Sequence, residues 1–394
     1  VERPIADLYD RLGRWNEAID RMVERDLVWP PDSFLERREF ARAGDSTPFG
    51  KRGDEGDLFA EFPEGHPFRL VVHAQTRFAD QMDPDHTSPL RLARLHGASV
   101  RGTASLEGGL DGLRRILMDK IRTHSGEVRE KERAHTVVLK RGRVSGLRFA
   151  VSDEAVGCNF VLSSSPTSAV LRLLPDRGPF DALFERTGEP QARYYRYALS
   201  VVLPTDALPA GMGREVYFVR DSSRRLADEN LLYVRSFPSE LAGLSVVTAE
   251  ALLSRRGIED VEGYLPQTRE RVIGALREIV PFLDQNALYI DSPFDGRPLR
   301  DVRERRDIAM PDPWHRAPER MQAVFGYPVV RNLGVCAMSV RSPIKGLLLC
   351  GAQVVPGFGV EGEFLAAWTA AGIITRTDRQ KERMRRELWS KVEI

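Results

Sequence analysis

The chain has 394 residues and is 42% hydrophobic, which is enough to supply the cores of about two domains. Its 58 basic and 57 acidic residues are interspersed and leave a formal net charge of +1, so no basic field favours nucleic-acid binding. No apolar stretch reaches the roughly 18 residues that a membrane span requires, and no signal peptide is evident, so we expect a cytoplasmic protein.

The cysteines and histidines indicate neither disulfides nor a metal site. Cys158, Cys336 and Cys350 stand in apolar runs without CxxC spacing, as is typical of small buried side chains in a reducing compartment. The seven histidines are scattered and show no HExxH or other paired-ligand spacing. We therefore expect no metal.

The first hundred residues are predicted to be mainly helical. Apolar residues recur at helical spacing over residues 1–45, at Ile5, Leu8, Leu12, Trp15 and Ile19. Residues 46–66 are rich in glycine, proline and charge and predict a loop. A helical pattern returns over residues 67–103.

Residues 104–174 combine one helix with several strands. Leu110, Leu113, Leu117 and Ile121 lie on one face of a predicted helix that ends at Ser125-Gly126. The pattern then predicts a short strand at 127–129, a hairpin over 135–150 and a strand that begins at Cys158.

From residue 196 the pattern indicates an antiparallel sheet with helices. The predicted strands lie at 197–203, 214–219, 230–235 and 243–249. A helix over 266–283 carries one apolar stripe, made of Val272, Leu276, Ile279 and Leu283.

Residues 346–376 are the most informative stretch of the chain. The run from Leu347 to Cys350 predicts a buried strand, and a loop with Pro356 and several glycines leads into a helix. The apolar or small residues of that helix are Phe364, Ala367, Trp368, Ala371 and Ile374. Such a joint suits an electron-rich group, because glycines allow close approach of N–H groups and the helix end carries about half a positive charge. An ordinary strand–loop–helix connection is the alternative.

The tail over residues 376–394 contains seven basic and four acidic residues. Met384, Leu388, Trp389 and Val392 lie roughly on one helical face. Such a helix can lie on an anionic membrane, which gives peripheral membrane contact. Packing on the protein itself or on a partner is the favoured interpretation.

Two of these blocks resemble a known family. The run SPIKGLLLCGAQVVPGFGVEGEFLAA at 342–367 resembles the C-terminal flavin-binding segment of the phytoene desaturase-like branch of the flavin amine oxidase superfamily. Residues 104–174 match a second block of that family in order and spacing. The resemblance implies a mixed α/β (α+β) fold, with an incomplete FAD-binding Rossmann-like domain and a substrate domain made of an antiparallel sheet and helices.

The resemblance also implies domain boundaries. Residues 1–103 would be the helical part of the substrate or cap region, and 175–338 would be the substrate domain. Residues 104–174 and 339–376 would be parts of the FAD-binding domain, and 377–394 would be a basic C-terminal helix.

The family assigns FAD contacts to matching positions of this chain. Gly351 and Ala352 would lie beside the pyrophosphate and ribityl chain, and Gly357, Gly359, Val360 and Glu361 would present the last helix to the flavin. The backbone of Ala134 would contact the adenine, and Ser164, Ser165 and Pro166 would approach the cofactor from a strand end. For Glu361 a capping role is the favoured alternative, and for 164–166 the alternative is a plain strand-to-helix turn.

The sequence departs from the family at its start. Family members begin with a strand, a GxGxxG turn, a helix and an acidic residue, which hold the pyrophosphate and a ribose hydroxyl. This chain opens instead on the polar helical stretch VERPIADLYDRLGRW, and we expect it to lack the N-terminal GxGxxG unit. A second polypeptide, or an upstream part of the same product, would then supply it.

The resemblance implies an FAD-dependent oxidoreductase that dehydrogenates or isomerises an apolar substrate, such as an isoprenoid, by hydride transfer to flavin N5. No catalytic side chain can be nominated, although His315 falls near the expected substrate pocket. The alternatives are a catalytically degenerate homologue kept as a structural subunit, and a lipid-binding module. Retention of Gly357, Gly359 and Gly362, each of which costs chain entropy, favours a working site.

Overall fold

The computed structural model describes residues 2–45, 47–48, 58–83, 88–102, 104, 106–260, 263–309 and 320–392. The helices are α1 (Glu2–Val23), α2 (Phe34–Asp45), α3 (Pro67–Ala79), α4 (Pro89–Val100), α5 (Gly109–Thr123), α6 (Thr167–Arg172), α7 (Gly178–Thr187), α8 (Arg255–Asp260), α9 (Tyr264–Ile279), α10 (Leu283–Asn286) and α11 (Gly359–Val392). The strands are β1 (Ala134–Lys140), β2 (Arg143–Phe149), β3 (Ala155–Gly157), β4 (Val161–Ser163), β5 (Gln191–Pro204), β6 (Glu215–Val219), β7 (Leu231–Pro238), β8 (Leu244–Ser254), β9 (Tyr289–Asp291), β10 (Leu299–Asp301), β11 (Arg306–Ile308), β12 (Gln322–Gly326) and β13 (Leu347–Leu349).

The chain divides into two compact units, each made of separate sequence segments. The first unit comprises Val1–Glu61, Thr87–Glu189 and Tyr327–Ile394, and the second comprises Phe62–His86 and Pro190–Gly326. Both mix helices with antiparallel sheet, which confirms the mixed α/β class.

Helices α1 and α4 pack closely in the first unit. Leu8, Leu12 and Ile19 of α1 are buried, as their helical spacing predicts. Asn16 donates through Nδ2 to the carbonyl of Ala93 at 3.0 Å, and Gly97 makes room for it, since a Cβ on Gly97 would lie 2.3 Å from that nitrogen. The helical region predicted over residues 1–45 is two helices, separated by a segment that contains the cis Trp29–Pro30 bond.

Helix α2 begins with a capping box. The hydroxyl of Ser33 accepts from the N–H of Glu36 at 3.2 Å, and the Glu36 carboxylate accepts from the N–H of Ser33 at 2.9 Å. Arg341 then forks onto the same carboxylate with distances of 2.7 and 3.0 Å. Glu36 therefore starts α2 and ties it to the C-terminal part of the first unit.

The first unit contains two small sheets. Strands β1, β2 and β3 form an antiparallel sheet, and β4 pairs with β13 in parallel, with Leu347, Leu348 and Leu349 opposite Val161, Leu162 and Ser163. The strand predicted at 127–129 is wrong: these residues are irregular chain after α5, where Arg129 forms ion pairs with Glu127 and Glu154 rather than a ladder.

The second unit is built on one large sheet. Its strand order is β11-β10-β9-β5-β8-β7-β6, and β12 also pairs with β5. Alternate residues of β5, Tyr197, Leu199, Val201 and Leu203, are buried in a core with Val272 and Leu276 of α9. The four strands predicted here are confirmed; β5, β7 and β8 are longer than predicted, and β6 is one residue shorter. The predicted helix over 266–283 is wrong at its C-terminal end, because α9 stops at Ile279 and Leu283 begins α10.

The last helix, α11, continues without interruption from Gly359 to Val392 and therefore includes most of the basic tail. At 1.5 Å per residue its 34 residues span about 50 Å. Across the described ranges, none of the helices is both long and apolar enough to cross a bilayer.

Candidate site at the ends of a parallel strand pair

The carboxyl ends of β4 and β13 lie side by side. The N–H of Cys350 donates to the carbonyl of Ser163 at 2.9 Å, which continues the parallel ladder past the last residue of β13. A Cβ on Gly351 would lie 2.2 Å from the carbonyl oxygen of Ser164. The two loops that leave these strands therefore touch backbone to backbone, and only glycine permits that approach.

A buried glutamine fastens the two loops together. Gln353 accepts through Oε1 from the N–H of Thr167 at 2.6 Å and from the Thr167 hydroxyl, and it donates through Nε2 to the carbonyl of Ser165 at 2.9 Å. Sequence reasoning missed this residue. The signal for it was its place in the apolar run Gly-Ala-Gln-Val-Val, because a glutamine that is buried there must find hydrogen-bond partners.

The segment from Gln353 to Gly357 is held by backbone hydrogen bonds to the strand-like stretch before β13. The N–H groups of Met338 and Ala337 donate to Gln353 and Val354 at 2.9 and 3.1 Å, and Gly357 donates to Val335 at 3.0 Å. The loop is buried through Phe358 and Gly359. These hydrogen bonds fix the position of the loop and therefore the position of the first turn of α11.

The glycines of this loop serve the protein's own packing. A Cβ on Gly357 would lie 2.7 Å from the Cα of Val335, and one on Gly362 would lie 1.9 Å from the carbonyl oxygen of Val355. Gly359 has φ 57° and ψ −135°, a conformation that side chains strain to adopt. Their retention is therefore explained by packing without a ligand, and it does not distinguish a working site from an unused one.

The first turn of α11 is exposed at Val360 and anchored at Glu361. Val360 is 63% exposed, whereas Gly359 before it is buried. Glu361 is bound by the buried Arg94 of α4, whose Nε lies 2.7 Å from Oε2 and whose Nη2 contacts Oε1. Arg94 also contacts Asp20 at 2.8 Å and donates to Asn16 at 3.1 Å.

The charges around Arg94 are balanced. Burial alone would lower the pKa of the Arg94 guanidinium, but hydrogen bonds and charges from Glu361 and Asp20 outweigh burial and raise it. Arg94 therefore stays charged, and the Glu361 carboxylate is committed to it. Glu361 therefore forms an ion pair with Arg94 that anchors the first turn of α11 to α4.

The structure brings together most of the residues that the family resemblance singles out. Ser164, Ser165 and Pro166 are exposed at the end of β4, beside Gly351 and the half-buried Ala352 at the end of β13. Gly357, Gly359, Val360 and Glu361 follow in the same loop and helix. Ala134 is not brought there by any described contact. It opens β1, opposite Phe149 in the three-stranded sheet.

The site contains backbone groups and small side chains rather than reactive ones. The nearest thiol is Cys350, and its pKa is raised by burial and then by the charge of Glu363, which keeps it protonated at neutral pH. Within the described ranges no group of three His, Cys, Asp or Glu side chains could hold a metal ion. His315 lies outside the residues that the structure describes.

The glycine spacing that the start of the chain lacks occurs near its end. The GxGxxG spacing does occur in this chain, at Gly357, Gly359 and Gly362. In a dinucleotide fold that turn follows its strand directly, whereas here β13 ends at Leu349 and a 3-10 turn over Pro356–Phe358 precedes α11. The spacing is therefore present in a different structural context, and the expectation applies to an N-terminal unit alone.

Comparisons with known proteins place the fold. No family model matches the chain, and no curated protein matches it in sequence. Among solved structures it is similar to an oxidoreductase from Methanosarcina mazei, with a TM-score of 0.51 and 16% identity over 77% of this chain and 64% of that chain. This chain thus spans 64% of the length of that protein.

Two further structures match less closely. They are a CLA-producing fatty acid isomerase from P. acnes (TM-score 0.47, 11% identity, 93% and 84% covered) and cyclohexylamine oxidase from Brevibacterium oxydans IH-35A (TM-score 0.45, 15% identity, 86% and 75% covered). At 16% identity, the similarity to the Methanosarcina mazei oxidoreductase shows a shared fold and nothing more.

Proposed function

We propose that this chain is part of an FAD-dependent oxidoreductase of the phytoene desaturase-like type, acting on an apolar substrate such as an isoprenoid. The observation that carries the proposal is the placement of the first turn of α11 beside the touching ends of β4 and β13. Ligands of open α/β sheets bind outside the carboxyl ends of the strands, where two neighbouring strand ends create a crevice. The fold shared with the oxidoreductase from Methanosarcina mazei is consistent with it.

The residues present fit the ring end of a flavin. The strand ends offer exposed Ser164, Ser165 and Pro166, and the small side chain of Ala352 leaves room beside Gly351. The helix end offers its partial positive charge beside the exposed Val360, while the N–H of Gly359 is donated to the carbonyl of Pro356. We assign Gly351, Ala352, Gly359 and Val360 to the cofactor on this basis.

When bound, flavin supplies the redox chemistry by accepting a hydride at N5. The protein's part is positioning and electrostatics. The first turn of α11 stabilises negative charge near its N–H groups, because the helix dipole points its positive end there. Arg94 balances the Glu361 carboxylate, so that this acid does not cancel the positive potential of the helix end. Gln353 keeps the two strand-end loops in register.

The second unit contains a cluster of aromatic side chains packed against its core. Tyr217 and Tyr233, on neighbouring strands β6 and β7, stack with ring centroids 4.7 Å apart and planes at 9°. Both rings are half-buried, and Phe78 of α3 packs against Tyr233 at 5.4 Å. Tyr194 and Tyr197 of β5 are core residues.

We further propose that the ADP-binding βαβ unit is supplied by another polypeptide or by an upstream part of the same product. The decisive experiment is to co-express the full chain with a neighbouring gene product of the strand–GxGxxG–helix–strand type and to record the visible absorbance of the purified complex. We expect flavin bands. A complex that forms but stays colourless after incubation with FAD would overturn the flavin assignment and favour the degenerate, structural-subunit alternative.

A matched pair of variants tests the location. Ala352→Trp places a bulky side chain at the strand end assigned to the pyrophosphate, and steric exclusion should weaken FAD binding at least tenfold in calorimetric titration. Ala182→Trp makes the same change at an exposed position of α7 and should leave binding unchanged. Equal affinity for both variants would exclude this strand end as the cofactor site.

A further inference from the structure

We infer that the first unit binds the phosphate group of a polar ligand in a basic cleft at the turn of the β1–β2 hairpin. The cleft is defined by Lys140, Arg141, Arg143, Asn159 and Lys345. It lies where β4 and β13 begin, whereas the candidate flavin site lies where these parallel strands end. The inference therefore goes beyond the proposed function, and flavin binding is not among its premises.

The cleft is large enough for a small ligand and is polar. Its volume is about 540 Å³, and ligand pockets measure roughly 300–1,000 Å³. Among the described residues, neither a carboxylate nor an aromatic ring lines it, and its one branched apolar side chain, Val144, is buried. Such a lining suits a charged ligand rather than an apolar one.

The hairpin turn brings three cationic residues together. Lys140 and Arg143 face each other as the last cross-strand pair of β1 and β2. Arg141 and Gly142 connect them and have φ angles of 53° and 71°, the left-handed conformation of a two-residue hairpin turn. Lys140 and Arg141 are exposed, and Arg143 is half-buried. The three side chains are therefore available to a ligand from solvent.

A distant segment adds a fourth cation beside the same turn. The N–H of Val144 donates to the carbonyl of Lys345 at 2.9 Å, so the chain before β13 lies along the edge of β2. Gly346 has φ 90°, and a Cβ there would lie 2.7 Å from the carbonyl oxygen of Asn159. This close backbone contact holds the exposed residues Lys345 and Asn159 next to the hairpin.

The positive charge of the cleft is not neutralised by the protein. Across the described ranges, Lys140, Arg141, Arg143 and Lys345 form no ion pair, whereas Arg148 near the other end of β2 has Asp153 at 3.9 Å. Residues 134–147, 155–165 and 342–350, which surround the cleft, contain no Asp or Glu, although acids and bases are almost equal in number over the whole chain. Like charges repel, so an anion bound among them is stabilised.

The donor groups fit a phosphate. A guanidinium donates two parallel hydrogen bonds to phosphate oxygens, and a lysine ammonium contributes a point charge. The described residues record no hydrogen bond for the side-chain amide of Asn159, which adds a neutral donor. Burial raises the pKa of the Cys158 thiol, so the cleft offers binding rather than a thiolate nucleophile. The phosphate can belong to a soluble ester or to a lipid headgroup.

The first test is calorimetric titration of the full chain with sodium pyrophosphate. We expect saturable binding at one site with a Kd below about 1 mM and weaker binding of inorganic phosphate, which carries less charge. Lys140→Gln/Arg141→Gln/Arg143→Gln should weaken pyrophosphate binding at least tenfold. Asn159→Ala, which removes one neutral donor, should weaken it about threefold.

A matched variant separates the cleft from net charge. Arg115→Gln/Lys120→Gln/Arg172→Gln removes the same three charges from exposed positions of the first unit. It should bind pyrophosphate within threefold of the unchanged chain. Equal weakening by the two triple variants would overturn the inference, because net charge would then account for binding. Circular dichroism of each variant checks that the fold is retained.

The second test distinguishes the two sources of phosphate. The full chain is sedimented with vesicles of phosphatidylcholine that contain phosphatidic acid. Retention that is lost in the variant of Lys140, Arg141 and Arg143 and competed by pyrophosphate assigns the cleft to a lipid headgroup. Pyrophosphate binding without retention assigns it to a soluble phosphate ester. The inference is overturned if neither pyrophosphate nor the vesicles bind, or if that variant binds as well as the unchanged chain.

Discussion

At the residue scale, the first turn of α11 depends on one buried arginine. Arg94 reaches Glu361, Asp20 and Asn16 at once, and all of its recorded partners lie in the first unit. A buried guanidinium that loses a carboxylate is left with an uncompensated charge, which costs more than the pair itself contributes. Glu361 is therefore important for stability whatever binds at the helix end.

We predict that Glu361→Gln lowers the free energy of unfolding by about 1–3 kcal/mol, since Arg94 keeps Asp20 but loses the bidentate partner. Urea denaturation measures it. Glu185→Gln, an exposed acid of α7 for which the described residues record no ion pair, is the control and should stay within about 0.5 kcal/mol. An unchanged midpoint for Glu361→Gln would refute the structural role.

Two glycines of α11 form a second matched pair. A Cβ on Gly362 would lie 1.9 Å from the Val355 carbonyl oxygen, whereas a Cβ on Gly372 meets nothing within 4 Å. Gly362→Ala should destabilise the protein by about 2 kcal/mol or more through overpacking. Gly372→Ala should be neutral or stabilise by up to about 1 kcal/mol, because alanine favours helix. Equal thermal midpoints for the two variants would contradict the packing account.

At the element scale, the junction before α2 combines helix capping with an ion pair. Burial alone would raise the pKa of Glu36, but the hydrogen bonds from Arg341, Ser33 and Asp32 outweigh it and lower that pKa from 4.5 to about 2. The ionised form is thus favoured in the folded state. The stabilisation is complete above the ordinary pKa and is lost as pH falls through the folded one.

We therefore predict that unfolding free energy falls by about 1–2 kcal/mol between pH 4.5 and pH 2 through Glu36 alone, after allowing for its partial solvent contact. The Glu36→Gln variant should be less stable at pH 7 and should lack this part of the pH dependence. Glu39→Gln, on the exposed side of the same helix, keeps it. A Glu36→Gln protein with the original acid profile would disprove the assignment.

Local sequence predicted most elements, for physical reasons that can be named. The spacing of Leu8, Leu12 and Ile19 fixes a helix face, and the alternation along β5 fixes a strand. It failed at 127–129, because three residues of strand propensity need a neighbouring strand and Arg129 found carboxylates instead. The capping box Ser33–Glu36 was readable from S-x-x-E spacing; its pairing with Arg341 was not.

In the candidate site, too, the individual elements could be predicted from local sequence, whereas the contacts between distant segments could not. The strand, the glycine loop and the last helix were predicted from residues 346–376, because local spacing encodes them. The pairing of β4 with β13, the Gln353 bridge and the Arg94–Glu361 ion pair join distant segments. Nothing in local periodicity reports which distant segment a residue will meet, so these required the structure.

At the scale of the whole molecule, stability is unevenly distributed. Helix α5 has 15 residues and only Gly112 is buried among them, whereas α9 has 16 residues and seven are buried, including Val272 and Leu276. Helices of this length are marginal in water unless an apolar face is packed. The exposed Leu110, Leu117 and Ile121 of α5 therefore add little to its stability.

Hydrogen exchange should reveal this difference. We predict that amides of α5 exchange at least a hundredfold faster than those of α9, because local opening of α5 exposes almost no additional apolar surface. Mass spectrometry of deuterated peptides from the two helices gives the comparison within one sample. Comparable protection of both helices in the isolated chain would contradict it.

The parallel pairing of β4 with β13 has a consequence for the order of protein synthesis. Thr167 and Gln353, which fasten the two strand ends, are 186 residues apart in the chain. At about 5–20 residues per second, roughly 10–40 seconds of translation separate them. The long segment of the second unit leaves the ribosome during that interval, while β4 waits for β13. The end of β4 and the loop after it therefore reach their final arrangement only after Gln353 has been synthesised.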